Sequence, residues 1–148
     1  HVHVTGLTHD ERGYPCATNP KLHMALVKRL VDKIENARDD MADYDIINPD
    51  AEQVFVAYGG PVRTVQQVLH DKKDTNTGFL RIRTVWPFPE KALAKFRNAR
   101  RFLVPEMNLG QIAREIERHV DVPVQSIPKL GGELHTPPEL VAALEEKA

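Results

Sequence analysis

The sequence predicts a three-layer α/β/α domain with a mostly parallel sheet. From about residue 50 onward, short apolar runs rich in β-prone residues alternate with segments of helical periodicity. Parallel strands need such helical crossovers, which are right-handed and cover both faces of the sheet. Glycine or proline stands at several junctions between a strand pattern and a helix pattern, where the chain has to turn.

The first long helix is predicted over residues 21–40, before the sheet begins. Its apolar residues recur at the spacing that forms one stripe of a helix surface. These residues are Leu22, Leu26, Val27, Leu30, Val31 and Ile34. We expect this helix to pack outside the sheet. The acidic and polar residues 39–50 that follow, interrupted by Asn48-Pro49, predict a loop.

The next elements form a strand, a helix and a second strand. Residues 53–58 form an apolar run that ends at Gly59-Gly60-Pro61, and Pro61 suits the first turn of a helix that runs to about residue 72. Residues 74–78, with the sequence DTNTG, predict a turn. Residues 79–86 then predict a strand.

The remaining elements follow the same alternation. The patterns predict a helix over 89–98, a strand over 101–104, a helix over 111–119 and a strand over 122–127. The inner face of the first of these helices consists of Ala92, Leu93 and Phe96. A last helix begins at Thr136, since threonine is a good N-cap and Glu139 stands three residues later, as in a capping box.

Composition excludes several classes of function. The 148 residues fit one domain, and a net charge of -1 gives no global field toward nucleic acid or an anionic membrane. No apolar run reaches the roughly 18 residues needed to cross a bilayer. The single cysteine, Cys16, rules out an internal disulfide and a cysteine-ligated iron–sulfur cluster within this chain. We expect a reducing, cytoplasmic location.

The start of the chain suggests a piece of a longer polypeptide. It begins with His1 instead of methionine, and residues 1–20 carry Gly, Pro, Thr and Asn without a sustained period. We expect residues 1–20 to connect to an upstream domain and residues 21–148 to form the α/β domain. Processing or tag removal is the alternative explanation.

Three loops follow predicted strands and should lie side by side, because functional loops of such sheets meet at the carboxyl ends of the strands. The first is Gly59-Gly60-Pro61. It is either a plain tight turn or an anion site at a helix N-terminus, where backbone N–H groups are free. It matches neither the dinucleotide nor the P-loop pattern.

The second loop contains Glu106 and Asn108 and ends at Gly110-Gln111, which open a helix. Glu106 could act as a base, but no histidine or second carboxylate lies nearby in sequence to complete a pair. We favour a role as acceptor of hydrogen bonds from backbone amides of a neighbouring loop or a partner subunit.

The third loop is the stretch Trp86, Pro87, Phe88 and Pro89, with two large aromatic rings among four residues. It is either an exposed interface anchor or a cap on the core, and these roles can coexist. The seven histidines are scattered, so we expect no structural metal, although His1 and His3 could chelate one adventitiously. We predict no catalytic residue in this chain.

These motifs together resemble a known family. The stretches GLTHDERGYP at 6–15, TVWPFP at 84–89 and VPEMNLGQ at 104–111 are similar, in this order, to the carboxyl-terminal region of the alpha subunit of 2-oxoacid:ferredoxin oxidoreductases. The 2-oxoglutarate synthase type is the best match. Further matching positions are His23-Met24, Lys28-Arg29, Lys33, Ala57-Tyr58-Gly59 and Arg63.

The resemblance implies a domain like the transketolase carboxyl-terminal domain, in an enzyme that decarboxylates a 2-oxoacid oxidatively to an acyl-coenzyme A. It also implies that thiamine diphosphate, magnesium and an iron–sulfur cluster belong to the complete enzyme. A beta subunit would supply the diphosphate and magnesium site and the cluster, and ferredoxin and coenzyme A would act at the level of the complex. This chain would be a non-catalytic assembly domain.

Two alternatives remain open. The chain could be a free-standing α/β module that binds an anion, such as a coenzyme A phosphate, with help from Arg63, Arg81 and Arg83. It could also be the equivalent domain of another thiamine-diphosphate enzyme, such as transketolase or a 2-oxoacid dehydrogenase. In each case we expect neither nucleic acid nor a membrane as partner.

Overall fold

A computed structural model describes residues 6–73 and 76–146. The chain divides into two compact units, with the boundary between Met41 and Ala42. The helices are α1 Pro20–Asn36, α2 Arg38–Met41, α3 Pro61–Lys72, α4 Glu90–Leu93, α5 Gln111–Glu117 and α6 Pro137–Glu145. The strands are β1 Tyr44–Ile47, β2 Gln53–Ala57, β3 Thr77–Ile82, β4 Arg101–Glu106 and β5 Val124–Pro128. Among these residues no helix is both long enough and apolar enough to cross a bilayer.

The first unit consists of a self-bonded turn and two helices. The carboxylate of Asp10 accepts hydrogen bonds from the backbone amides of Tyr14 and Arg12, and these bonds lower its pKa. The side chain of Asn19 caps α1, which ends at Asn36 and is followed by the separate short helix α2. None of the residues described in this unit is buried. The division at residue 20 and the packing of α1 on the sheet stay predictions.

The second unit contains a five-stranded sheet in the order β1-β3-β2-β4-β5. β2 pairs with β3 and β4 in parallel, and β4 pairs with β5 in parallel. β1 pairs with β3 antiparallel, with Tyr44 opposite Ile82. The prediction of a loop over residues 39–50 was therefore wrong. β1 is a four-residue edge strand, too short to show a clear apolar period, and its Tyr44 and Ile46 are partly buried against the core.

Helices cover both faces of the sheet, which confirms the predicted three-layer architecture. On β2, Val54 and Val56 belong to one core with residues of α4 and α5, whereas Phe55 and Ala57 belong to a second core with residues of α3 and α6. This alternation follows from the period-2 geometry of a strand. Each face of the sheet therefore has its own apolar core.

Several predicted boundaries need correction. β3 begins at Thr77 and ends at Ile82, so Gly78 lies in a strand instead of a turn, and residues 83–86 lie beyond that strand. A Cβ at Gly78 would stand 2.9 Å from the carbonyl oxygen of Asn48, which explains the need for glycine there. The predicted turn residues 74 and 75 lie outside the described part of the chain.

The segment after β3 is less helical than predicted. α4 is a single turn, although Ala92, Leu93 and Phe96 are buried as expected. β4 is longer than predicted and extends through Pro105 to Glu106. The burial of the apolar positions was therefore predicted correctly, whereas the length of the helix was not.

Strand β4 begins with a buried cation. Arg101 is only 6% exposed. Its guanidinium group donates hydrogen bonds to the carbonyl oxygens of Leu144 and Glu146, at 2.6 and 2.7 Å. It also donates to the side-chain oxygen of Gln53. A cation is favourable at this place, because the last carbonyls of α6 carry the negative end of the helix dipole.

We expect Arg101→Met to lower the free energy of unfolding by roughly 2 to 4 kcal/mol, since one buried and two partly buried oxygens lose their donor. The control is Arg100→Met, because Arg100 forms only an exposed ion pair with Glu52 and its loss should cost less than about 1 kcal/mol. Urea unfolding of the three proteins measures both values. Equal effects of the two substitutions would contradict this role for Arg101.

The N-terminus of α6 has the predicted capping box, formed by Thr136 and Glu139. The carboxylate of Glu139 accepts hydrogen bonds from the ammonium group of Lys129 at 2.9 Å and from the backbone amide of Thr136 at 2.6 Å. These bonds lower the pKa of Glu139 to about 2.

This pKa predicts a loss of stability in acid. The folded pKa lies below the ordinary value of 4.5, so the stabilisation is complete above pH 4.5 and disappears as the pH falls toward about 2. In Glu139→Gln the urea concentration at the unfolding midpoint should fall less steeply as the pH decreases from 4.5 to about 2. Glu133→Gln, at an exposed position nearby, is the control. Identical pH profiles for wild type and Glu139→Gln would exclude the proposed contribution.

Candidate functional site

The three predicted loops follow neighbouring strands, as expected. The order β3-β2-β4 places residues 83–89, 58–60 and 107–110 along the carboxyl edge of the sheet. Two of the loops are joined directly, because the side-chain amide of Asn108 donates to the hydroxyl of Tyr58 over 2.8 Å. The carboxyl edge is therefore the place where the candidate residues meet.

Glu106 ends β4 and is fully buried. One carboxylate oxygen accepts from the backbone amide of Ile112 at 2.9 Å, and the other accepts from that of Ala113 at 3.0 Å. The structure thus supports a role as acceptor of backbone hydrogen bonds. The donors belong to α5, the helix that follows Glu106, and not to a neighbouring loop or a partner, because the loop folds back over the end of its own strand.

Asn108 completes the cap of the same helix. Its side-chain oxygen accepts from the amides of Gly110 and Gln111, both at 2.9 Å. The first bond within the helix runs from Arg114 to the carbonyl oxygen of Gly110. The four amides that a helix start leaves free are therefore all bonded to side chains. They are those of Gly110, Gln111, Ile112 and Ala113.

This arrangement explains the motif PEMNLGQ without any ligand. A carboxylate is favourable beside the positive end of the helix dipole, and both oxygens of Glu106 already have donors. Gly110 has a φ of 87°, a left-handed conformation that favours glycine at the start of α5. Gln111 contributes its backbone amide, while its side chain is exposed. The start of α5 has no free amide to offer an anion.

Tyr58 belongs to this site, although the sequence analysis named it only among the positions that match the family. Partial burial raises the pKa of its hydroxyl, and the negative charge of Glu106 raises it further, whereas the hydrogen bond from Asn108 acts in the opposite direction. Apart from that match, the sequence signal is an aromatic residue at the end of an apolar run. Its partner Asn108 is 50 residues away in the chain, so local periodicity could not identify the pair.

The structure is compatible with both roles predicted for the loop Gly59-Gly60, a tight turn and an anion site at a helix N-terminus. Gly59 has a φ of 60°, and α3 starts at Pro61 without any side-chain hydrogen bond to its cap. Of the arginines expected to assist an anion, Arg83 is paired with Asp43 and Asp45, and Arg81 with Asp45. Arg63, in the first turn of α3, is exposed. It alone of the three remains available for the role predicted from sequence.

The residues of the aromatic loop differ in which of the two proposed roles they fit, a cap on the core or an exposed interface anchor. Pro87, Phe88 and Pro89 are buried, and the ring of Phe88 stacks on the imidazole of His119 with centroids 5.8 Å apart. Trp86, by contrast, is 68% exposed. Phe88 therefore belongs to the core, and the indole of Trp86 is the part of this loop that faces solvent.

His135 has a structural role that the sequence analysis did not predict. His135 is 4% exposed, and its Nε2 lies 2.7 Å from the carbonyl oxygen of Ile127, to which it donates. Its own carbonyl oxygen accepts from the hydroxyl of Thr64. The described residues contain no cluster of three or more side chains that could hold a metal ion. His1 and His3 lie outside the described residues.

We expect Glu106→Gln to lower the free energy of unfolding by about 1 to 3 kcal/mol, because an NH₂ group would then face a backbone donor. The pKa of Tyr58 should fall in the same variant, since the neighbouring negative charge is removed. Urea unfolding and the pH dependence of phenolate absorbance measure the two effects. The exposed Glu117→Gln is the control. An unchanged stability would contradict the capping role.

Comparison with known proteins finds relatives along almost the whole chain. The chain is 47% identical over 147 residues to the 2-oxoglutarate synthase subunit KorA of Methanocaldococcus jannaschii, covering 97% of this chain and 40% of that protein. It is 44% identical over 146 residues to the subunit of the same name from Methanothermobacter marburgensis, covering 95% and 39%. The chain thus spans about 40% of the length of the curated relatives it matches.

A solved structure has the same fold. The 2-oxoglutarate:ferredoxin oxidoreductase from Magnetococcus marinus with 2-oxoglutarate, coenzyme A and succinyl-CoA bound superposes with a TM-score of 0.80 at 20% identity, over 97% of this chain and 26% of that one. The sequence also matches the family described as pyruvate:ferredoxin oxidoreductase core domain II over residues 51–140. These residues make up more than half of the chain, which therefore belongs to the pyruvate:ferredoxin oxidoreductase core domain II family.

Proposed function

We propose that this chain is a non-catalytic assembly domain of the alpha subunit of a 2-oxoacid:ferredoxin oxidoreductase, with 2-oxoglutarate as the substrate of the complete enzyme. The observation that carries this proposal is the likeness to 2-oxoglutarate synthase subunits along almost the whole chain. The family assignment also favours an oxidoreductase over transketolase or a 2-oxoacid dehydrogenase.

The geometry of the carboxyl edge supports a structural role. Glu106 is the carboxylate that most resembles a catalytic base in sequence, and both of its oxygens are bonded to amides of α5. A general base has to reach the proton that it removes from a substrate. A fully buried carboxylate that caps a helix does not meet this requirement.

The cofactors expected for the complete enzyme do not fit the residues of this chain. A single cysteine cannot provide the four thiolates that usually hold an iron–sulfur cluster. The part of the chain that the structure describes also lacks a set of three side chains suited to a metal such as magnesium. We propose that thiamine diphosphate, magnesium and the cluster are bound elsewhere in the assembly, in particular by the beta subunit. Ferredoxin, coenzyme A and a cytoplasmic location are likewise proposed for the complete enzyme.

A second candidate function rests on α3. Its N-terminus has no side-chain cap, in contrast to α1, α5 and α6. Free amides near Gly60 together with Arg63 could hold an anion such as a phosphate of coenzyme A. A tight turn explains the same residues without a ligand, so we place this candidate second.

The two candidates differ in what the isolated chain should do. We expect no oxidation of 2-oxoglutarate by the isolated chain with coenzyme A and an artificial electron acceptor. The complete alpha subunit combined with its beta subunit should be active, because the cofactors belong to the assembly. Isothermal titration with coenzyme A up to about 1 mM should give no saturable heat.

Each contrary outcome has a distinct meaning. Turnover by the isolated chain would contradict the assembly role directly. Saturable binding of coenzyme A that is lost in Arg63→Ala but retained in Arg97→Ala would favour the anion-binding module, because Arg97 is also exposed but lies before β4, at the opposite edge of the sheet.

A further inference from the structure

The exposed apolar side chains of the second unit are concentrated at one edge of the sheet. Six large hydrophobic side chains are exposed among its described residues, and five of them lie in loops after parallel strands. We call these five the carboxyl-edge patch: Trp86, Met107, Leu109, Leu130 and Leu134. The sixth, Ile47, ends the antiparallel strand β1 and so lies at the opposite edge.

The patch spans neighbouring loops. Its residues follow β3, β4 and β5, and the loop after β2 lies between the first two of these. At that loop, a Cβ placed on Gly60 would stand 2.5 Å from Leu134 and 3.4 Å from the sulfur of Met107. These side chains therefore converge above Gly60. Three strand spacings of about 4.8 Å give the row a length of roughly 15 Å.

The loop after β4 exposes its apolar side chains, although its polar groups are bonded internally. The polar groups nearest to Met107 and Leu109 are bonded internally, because Asn108 binds Tyr58 and the amides that open α5. Leu109 itself is 65% exposed between them. A rigid loop that turns its polar groups inward and an apolar side chain outward is typical of a protein interface.

The charges beside the patch indicate the chemistry of the partner. Arg63 is exposed in the first turn of α3, and Arg114 is exposed one turn into the short helix α5. Neither has an ion pair among the residues described. Helical side chains tilt toward the helix N-terminus, which for both helices is the carboxyl edge of the sheet. The loop after β5 adds the exposed Glu133. The exposed charges named here are thus two positive and one negative.

We propose that the carboxyl-edge patch binds the beta subunit of the oxidoreductase, through a surface that presents apolar side chains flanked by carboxylates. This inference rests on the proposed function, which supplies the partner. A second copy of this chain fits less well, because a two-fold contact places the same patch on both sides and so brings two positively charged surroundings together. Carboxylates on the partner would pair with Arg63 and Arg114.

The test measures the affinity of the complete alpha subunit for the beta subunit by sedimentation. We expect Leu109→Ser and Arg63→Glu each to weaken binding by about tenfold or more, as at interface hot spots. The matched controls are Ile47→Ser and Arg97→Glu, which change the same residue types at the opposite edge and should stay within about twofold. Binding of the wild type should weaken with salt, and less so in Arg63→Glu.

The outcomes separate this inference from the proposed function. If all variants bind like the wild type and the complex oxidises 2-oxoglutarate, the proposed function stands and the patch is not the interface. If Leu109→Ser instead dissociates a homodimer of the chain, the occupant is a second copy and the inference is wrong. If the wild-type subunits neither bind nor form an active complex, both fail. Leu130→Ser, in a different loop, provides a second test if Leu109→Ser does not fold.

Discussion

The strand β4 carries a buried charge at each end, and each charge binds the end of a helix. Arg101, its first residue, donates to the last carbonyls of α6, and Glu106, its last residue, accepts from the first amides of α5. Burying a charge costs free energy unless it is paired or fully hydrogen-bonded. Here the ends of helix dipoles of opposite sign meet the two charges. This pairing holds helices of both layers to one strand of the sheet, so the rest of the domain depends on it.

The cap on α5 also determines what the carboxyl edge can do. Because Glu106 and Asn108 bind the four amides that open the helix, the polar part of the loop is used internally. The side chains left outside are mainly apolar, including Leu109 and, on the neighbouring loop, Leu134. The loop after β4 therefore presents apolar side chains rather than free polar groups, as protein interfaces often do. The same motif thus explains both how the start of α5 is stabilised and why the outer side of this loop is apolar.

The sequence predicted well those features that depend on residues close together in the chain, and less well those that depend on residues far apart. The alternation of strands and helices, the two apolar faces of β2 and the capping box of Thr136 and Glu139 all follow from spacings within a few residues. The edge strand β1 was missed because its residues lack a long apolar pattern and become a strand only by pairing with β3. The helix after β3 was predicted too long, since burial of Ala92, Leu93 and Phe96 needs only one helical turn and the bends after it. The candidate loops were predicted correctly as neighbours, because parallel topology alone places them at one edge.

By itself, the sequence determined the fold class, the order of most elements and the family, because local periodicity and short motifs carry that information. Only the tertiary structure decided which donors bind Glu106, which carbonyls bind Arg101, and that His135 is buried against Ile127. It also separated Phe88, which is in the core, from Trp86, which is at the surface. Adjacent aromatic residues look alike in a pattern, and partners up to 71 residues apart, such as Thr64 and His135, meet only when the sheet forms. Burial and pairing are properties of the packed layers, and no local spacing encodes them.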